Sequence, residues 1–313
     1  MLRARLLAVF ALGAALLVPG AQGAVTGDQR VLVVLATYGP RPYTVADVQA
    51  TMKETADFYE RSSYGQMRLR PQVTGWLNAF SARPRCADWT SRDTTRLDVF
   101  VAPARAAAVT AGYNVSSYDR VVYSVVGSDC NFRGIAWNRS IVVTEVPTAP
   151  LVTHELGHTF GLAHAASSRC AATCPVDESG DPFSPMGEGF TDFSTYEKRQ
   201  LGWLPDPLRV SKPGTYRLAR ADVKSNLPHA LVLPTSEGNY WFELRKGRGI
   251  MVRLVVPEAA AAPFAAPAVL LLNPTSKRRP WVATGETFRA RGLFTAKLAP
   301  RGLRFTLIEQ TTR

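Results

Sequence analysis

Residues 152–164 read VTHELGHTFGLAH, and this short stretch constrains the fold and the chemistry of the chain more than any other. His154 and His158 are four residues apart, so on a helix they project from the same face, one turn apart. Two imidazoles in that relation can bind a single zinc ion at about 2.0 to 2.1 Å. Glu155 follows the first histidine directly, where its carboxylate can act on a water without taking a metal position.

Gly161 and His164 make this pattern more specific. A continuous helix would put residue 164 on the wrong face, so a third ligand at this spacing requires the chain to leave the helix sharply. Gly161 can adopt the positive φ that such an exit needs. His164 then completes three protein ligands and leaves a fourth position open, which is typical of catalytic zinc sites.

The distribution of histidines supports this interpretation over a chance match. The chain has four histidines, and three of them lie between residues 154 and 164. His229 stands alone, and we interpret it as structural. We therefore predict one zinc ion bound by His154, His158 and His164; nothing in the sequence indicates a structural calcium ion.

These residues, followed by a methionine in a turn, resemble the metzincin clan of zinc peptidases. Residues 184–187 (SPMG) are the candidate turn, and the resemblance implies that Met186 packs beneath the ligands without binding the metal. Some metzincins carry a zinc-binding tyrosine two residues after this methionine. Glu188 occupies that position here, so no fifth protein ligand is expected.

Within the clan the chain is similar to the gametolysin family of secreted metallopeptidases. That resemblance rests on residues 164–165, 181–187 and 201–204, and more weakly on residues 63–65 and 240–245. It implies a secreted zinc-dependent endopeptidase that hydrolyses peptide bonds of extracellular protein or glycoprotein, with Glu155 as general base.

Two other classes of function remain open. The chain could be a catalytically silent, zinc-containing protein that binds an extracellular polymer, or a zinc hydrolase of a non-peptide amide. Glu155 favours an enzyme over the silent protein, because a purely structural zinc site requires no carboxylate at that position.

The N-terminus has the pattern of an export signal. Arg3 and Arg5 precede an apolar stretch over residues 6–18, and small residues stand at positions 21 and 23. Thirteen apolar residues span about 20 Å as a helix, less than the roughly 30 Å of a bilayer core. We predict a signal peptide over residues 1–23, release to the extracellular space or periplasm, and no membrane segment in the mature chain.

Four cysteines follow the predicted signal, and an even number agrees with disulfides in an exported protein. Four cysteines allow three pairings. We favour Cys86 with Cys130 and Cys170 with Cys174.

The remaining chain divides near residue 205. Residues 24–205 alternate strands (31–37, 66–76, 118–126, 140–146) with helices (44–61, 97–111), whereas residues 206–313 show short β-rich segments between Gly and Pro punctuation. We predict an α+β fold. A metzincin-like catalytic domain with a twisted mixed sheet and helices precedes a small all-β, sandwich-like C-terminal domain.

Positive charge is concentrated in the C-terminal part. Residues 206–313 carry 18 Lys and Arg against 7 Asp and Glu, while residues 24–205 carry 17 against 18. A basic β domain could attract an anionic surface or polymer, but the charges are scattered, and we favour a solubilising face. We expect a monomer that takes a protein or peptide substrate and no specific nucleic acid.

Overall fold

The computed structural model describes residues 23–86, 97–130, 132–170, 174–256, 267–275 and 279–307. The predicted signal peptide therefore lies almost wholly outside the described residues, as does an Ala/Pro-rich stretch at 259–266. Within the described residues, no helix combines the length and the apolar character needed to cross a bilayer.

The N-terminal part is built on a five-stranded mixed sheet with the order β2-β1-β3-β5-β4. Its strands are β1 (Gly27–Thr37), β2 (Met67–Asn78), β3 (Arg120–Val125), β4 (Gly134–Trp137) and β5 (Ser140–Val143). The pairs of β1 with β2 and β3, and of β3 with β5, are parallel, whereas β4 runs antiparallel to β5 at the sheet edge.

Helices cover both faces of this sheet. They are α1 (Val45–Ser62), α2 (Asp98–Thr110) and α3 (Ala149–Thr159), with the short α4 (Thr195–Gln200) further along the chain. Successive side chains of a strand point to opposite faces. Val31, Val33 and Leu35 accordingly pack in the core shared with α1 and α3, while Leu32 and Val34 pack in the core shared with α2.

The start of α1 follows from local chemistry. The side chain of Thr44 accepts a hydrogen bond from the backbone of Asp47, and the Asp47 carboxylate accepts one from the Thr44 backbone, which forms a capping box. The sequence prediction of a helix starting at Thr44 is thereby confirmed.

The C-terminal part is a β-sandwich. A seven-stranded sheet has the order β7-β6-β13-β12-β11-β10-β8, and a four-stranded sheet the order β14-β15-β16-β9. Aromatic side chains from both sheets, including Tyr240, Phe242, Phe294 and Phe305, fill the core between them. The strands are β6 (Ala166–Ser168), β7 (Val176–Asp177), β8 (Leu208–Arg209), β9 (Gly214–Tyr216), β10 (Ala230–Thr235), β11 (Gly238–Leu244), β12 (Ile250–Val255), β13 (Ala268–Leu271), β14 (Thr287–Ala290), β15 (Phe294–Ala299) and β16 (Gly302–Leu307).

The predicted α+β class, a mixed sheet with helices followed by a mostly-β part, is confirmed. The sequence did not indicate β14 and β15, whose outward positions carry polar residues such as Arg289 and Lys297, and it missed the short strands β4, β6, β7 and β8. β6 and β7 lie before residue 205 yet join the seven-stranded sheet through the pairing of β6 with β13. The division at residue 205 stays a prediction.

Both favoured disulfides are present, Cys86 with Cys130 and Cys170 with Cys174. The first lies beside the core under α2, and the second lies across the tip of the β6–β7 hairpin.

Candidate metal centre

Helix α3 carries the first part of the site. It starts with Pro150 in its first turn, where a missing N–H costs no helical hydrogen bond. Val152 and Leu156 bury its core face completely, so the helix is fixed against the sheet. His154 and His158 then project from a firmly held element, one turn apart.

The chain leaves α3 at Gly161, as the sequence predicts. Gly161 has φ of 90°, in the region that L side chains avoid. The N–H of Gly161 donates to the carbonyl of His158 at 3.0 Å, and the N–H of Leu162 donates to the carbonyl of Gly157 at 3.1 Å. This C-terminal turn satisfies two helix carbonyls and brings His164 back toward α3.

The three histidines converge. Their candidate ligand atoms all lie within 4.8 Å of one another, and Nε2 of His154 is 3.1 Å from Nε2 of His158. Cys86, Asp129 and Cys130 also lie close together, but both cysteines are in a disulfide and offer no thiolate.

The hydrogen bonds made by Nδ1, the other ring nitrogen, define the tautomers of His154 and His158. Nδ1 of His154 lies 2.7 Å from the Pro185 carbonyl and Nδ1 of His158 lies 2.8 Å from the Leu162 carbonyl. Carbonyl oxygens only accept hydrogen bonds, so both Nδ1 atoms are the donors. The two Nε2 atoms therefore present lone pairs to the same point.

That arrangement fits a zinc ion. Two acceptor nitrogens 3.1 Å apart repel each other unless a cation lies between them. Burial lowers the pKa of His158 to about 4, with a further contribution from the neighbouring His154, and burial also lowers the pKa of His154. Both rings are thus neutral near pH 7, the form in which imidazole binds zinc.

Glu155 lies beside the triad and is only 6% exposed. Its side chain lies against Gly134 of β4 so closely that a Cβ on Gly134 would be 2.7 Å from the carboxylate oxygen. Burial raises the pKa of Glu155 to about 8. Its assignment as general base stays a prediction.

Met186 forms the floor beneath α3. It is fully buried, and a Cβ built on Gly157 would be 2.3 Å from its sulfur. Its backbone carbonyl accepts a hydrogen bond from Ala165 at 2.8 Å, directly after the third histidine. The turn at residues 184–187 therefore contacts the helix, the Nδ1 of His154 and the chain beside His164.

An open cleft of about 520 Å³ lies next to the site. One wall comes from the start of β4, another from α3, and a third from the turn that holds Met186. Its lining residues are Arg133, Gly134, Thr148, Pro150, Leu151, His154, Glu155, Pro185, Gly187, Glu188 and Gly189. Glu188 also lines this cleft. Among the described residues, the cluster of candidate metal ligands at this site consists of the three histidines and does not include Glu188.

Buried charges anchor the Met186 turn to the C-terminal sheet. Asp181 accepts the backbone N–H groups of Phe183 and Ser184, and its other carboxylate oxygen lies 2.5 Å from Arg253 of β12. The Ser184 hydroxyl donates to Glu197 at 2.5 Å and accepts the N–H of Met186 at 3.1 Å.

The structure brings the three predicted histidines together, with Glu155 on α3 and Met186 beside that helix, and their roles stay predictions. Sequence reasoning missed three further features near the site. These are the Gly134 surface under Glu155, the Asp181–Arg253 ion pair, and Glu178, whose carboxylate lies 3.2 Å from Nδ1 of His164. Each joins segments at irregular separations, so no spacing rule indicates them. His229 lies apart from the triad and bonds to the Val223 carbonyl, in line with a structural role.

Comparison with known proteins gives similar solved structures and one family model. The solved structures similar to this chain include metalloproteinase-II from Bacteroides fragilis, at 12% identity and a TM-score of 0.33, covering 57% of this chain and 54% of that one. Another is a chain from the "Structure of a chaperone-substrate complex", at 13% identity and a TM-score of 0.32, covering 52% of this chain and 28% of the other. This chain thus spans about half the length of the metalloproteinase and about a quarter of the length of the chain from the complex.

A comparison with curated proteins gives no match. A family model of the reprolysin type, described as Metallo-peptidase family M12, matches residues 33–191, which is just over half of the chain and includes the whole histidine triad. The chain belongs to metallo-peptidase family M12.

Proposed function

We propose that this protein is a secreted zinc-dependent endopeptidase in which His154, His158 and His164 hold the metal and Glu155 is the general base. The observation that carries the proposal is the convergence of three imidazoles beside one buried carboxylate, at the wall of an open cleft. A bound zinc ion would supply Lewis acidity, polarising the scissile carbonyl and acidifying a water.

Glu155 does the proton transfer. Its carboxylate accepts the proton of the attacking water and then delivers that proton to the nitrogen of the departing amine. Burial raises its pKa to about 8, and a cation held by the histidines counters that effect because nearby positive charge favours the carboxylate. The water bond to the carbonyl carbon forms, the C–N bond breaks, and no covalent enzyme intermediate is required.

The shape of the cleft supports a peptide as substrate over a small amide. β4 is the last strand of its sheet, and Gly134 at its start lines the cleft next to Glu155. An exposed strand edge offers N–H and C=O groups to which an extended chain can add as a further strand. A peptide bound in that way passes directly beside the histidines.

Kinship with gametolysin is a finer part of the proposal. Two stretches that carry the resemblance have structural roles here: residues 181–187 form the anchored turn, and in residues 201–204 the Trp203 indole donates to the Val25 carbonyl at 2.7 Å. Export is supported by the two disulfides and by the sequence pattern of residues 1–23.

Two substitutions test the proposal. Glu155→Gln should keep stoichiometric zinc and lose cleavage of casein and of a quenched peptide, by about 10² to 10⁴-fold for loss of a general base. His158→Ala should lose both zinc and cleavage. Metal analysis and peptidase assays on the same preparations decide the matter.

Full peptidase activity in Glu155→Gln would contradict the assignment of the base. Stoichiometric zinc in the wild-type protein without turnover of any peptide would instead favour the polymer-binding alternative. Turnover of non-peptide amides without turnover of any peptide would contradict the peptidase assignment and favour a zinc hydrolase of non-peptide amides.

A further inference from the structure

The three histidine rings differ in the group that accepts a hydrogen bond from their Nδ1 atom. His154 and His158 donate from Nδ1 to backbone carbonyls, at 2.7 and 2.8 Å. His164 instead meets a side chain, because Oε1 of Glu178 lies 3.2 Å from its Nδ1. A carboxylate accepts this hydrogen bond, so Nδ1 of His164 also carries the proton and its Nε2 is free for the metal.

His164 is the ligand with the weakest support from the main fold. It lies beyond the end of α3, in a segment without regular structure, and its side chain is 33% exposed. A ring in such a segment can rotate about its side-chain bonds unless a partner fixes it. In metal sites such a partner orients the ligand and raises its basicity.

We propose that Glu178 is a positioning residue that fixes the tautomer and orientation of His164 for metal binding. This inference rests on the proposed zinc site. Glu178 is not among the residues that line the cleft, and its described contact with the triad is the one with Nδ1 of His164. It acts only through His164.

The β6–β7 hairpin explains how residue 178 reaches residue 164. β6 starts two residues after His164 and pairs antiparallel with β7, with Ser167 opposite Asp177. This register brings residue 178, directly after β7, level with Ala166, only two residues from His164, and the Glu178 carboxylate reaches the His164 ring from there. The Cys170–Cys174 disulfide closes the tip of this hairpin, and the Asp177 carboxylate accepts the N–H of Ser179 beyond its end.

This geometry predicts a specific effect on metal affinity. Both partners are partly exposed, with side-chain exposures of 33% for His164 and 49% for Glu178, so their attraction contributes little to folding stability. Loss of a partner behind a metal-binding histidine weakens metal binding by about 10- to 100-fold. Affinity and stability should therefore respond differently to a change at Glu178.

The test uses the full-length mature protein and three variants. Zinc dissociation constants are measured by competition with a chromophoric chelator, and the visible spectrum of the cobalt-substituted protein reports ligand geometry. Glu178→Ala should weaken zinc binding by about 10- to 100-fold and alter the cobalt spectrum, with the melting temperature of the metal-free protein unchanged. Glu178→Gln retains an acceptor oxygen and should recover part of the affinity.

Asp177→Asn is the matched control. It removes the same charge from the same hairpin and keeps an oxygen that can accept the Ser179 N–H. In the described part of the chain, the carboxylate at Nδ1 of His164 belongs to Glu178, whereas that of Asp177 bonds to Ser179. It should bind zinc as the wild type does. Equal weakening by Asp177→Asn and Glu178→Ala would reduce the effect to general electrostatics and overturn the inference.

The outcomes separate this inference from the proposed function. Wild-type affinity and an unchanged cobalt spectrum in Glu178→Ala would overturn the role of Glu178 and leave the zinc site intact. Failure of the wild-type protein to bind zinc at all would overturn both.

Discussion

At the scale of single residues, the contact between Gly134 and Glu155 links the sheet to the proposed chemistry. The carboxylate lies on the bare backbone of Gly134, and both residues line the cleft. A side chain at position 134 would occupy the space of the carboxylate. Glycine is therefore required here for close approach, independently of its conformational freedom.

Gly134→Ala should displace Glu155 and lower kcat by about 10- to 100-fold, because a shift of about 1 Å in a catalytic group has effects of this size. Zinc content should stay at the wild-type level, since the three atoms nearest to a Cβ at position 134 all belong to Glu155 and none to a histidine. Gly75→Ala in β2 is the control, because a Cβ there meets nothing within 4 Å. Equal kcat in the two variants would show that Glu155 tolerates the displacement.

At the scale of elements, the packing of α3 on the Met186 turn depends on Gly157. Ala in place of Gly stabilises a helix interior by about 1 kcal/mol. Here the new Cβ would lie 2.3 Å from the sulfur of a methionine that has no exposed surface. Overpacking of this kind costs about 1 to 3 kcal/mol, so we expect the clash to outweigh the helix propensity.

Gly157→Ala should thus lower the free energy of unfolding of the metal-free protein, measured by denaturant titration. The double variant Gly157→Ala, Met186→Ala makes room for the added methyl group and should show less destabilisation than the sum of the two single variants. Additive effects, or a net stabilisation by Gly157→Ala alone, would mean that Met186 does not constrain the helix.

At the scale of the whole molecule, the C-terminal sandwich contacts the segments around the candidate metal site through buried charges. Glu243 of β11 accepts the N–H of Thr195 at the start of α4, at 2.6 Å, and pairs with Arg245 at 3.0 Å. Arg253 pairs with Asp181 beneath the Met186 turn. We infer that residues 206–313 complete the site rather than serve as a separable binding domain.

Arg253→Met should destabilise the protein by about 3 to 5 kcal/mol, because it leaves the buried carboxylate of Asp181 without its counter-charge. It should also weaken zinc binding, since Asp181 holds the backbone of the turn that bonds to His154. Arg289→Met, at an exposed position of β14, is the control. Thermal unfolding and chelator competition report the two effects, and a stable Arg253→Met protein with wild-type zinc affinity would contradict this dependence.

The sequence alone was sufficient for several features that depend on local spacing. The separation of His154 and His158, the exit at Gly161 and the helix start at Thr44 are set by residues within one or two turns, where backbone geometry leaves few alternatives. The longer strands β1, β2, β3 and β5 and the helices α1 and α2 followed from hydrophobic periodicity for the same reason, whereas the short β4 did not.

Only the tertiary structure showed the partners that support those local features. Glu178 behind His164, Gly134 under Glu155 and Arg253 beneath the Met186 turn are contacts across 14, 21 and more residues, made when hairpins and sheets close. No periodicity relates their positions along the chain. Such contacts are determined by the packing of whole elements, which a single sequence does not display.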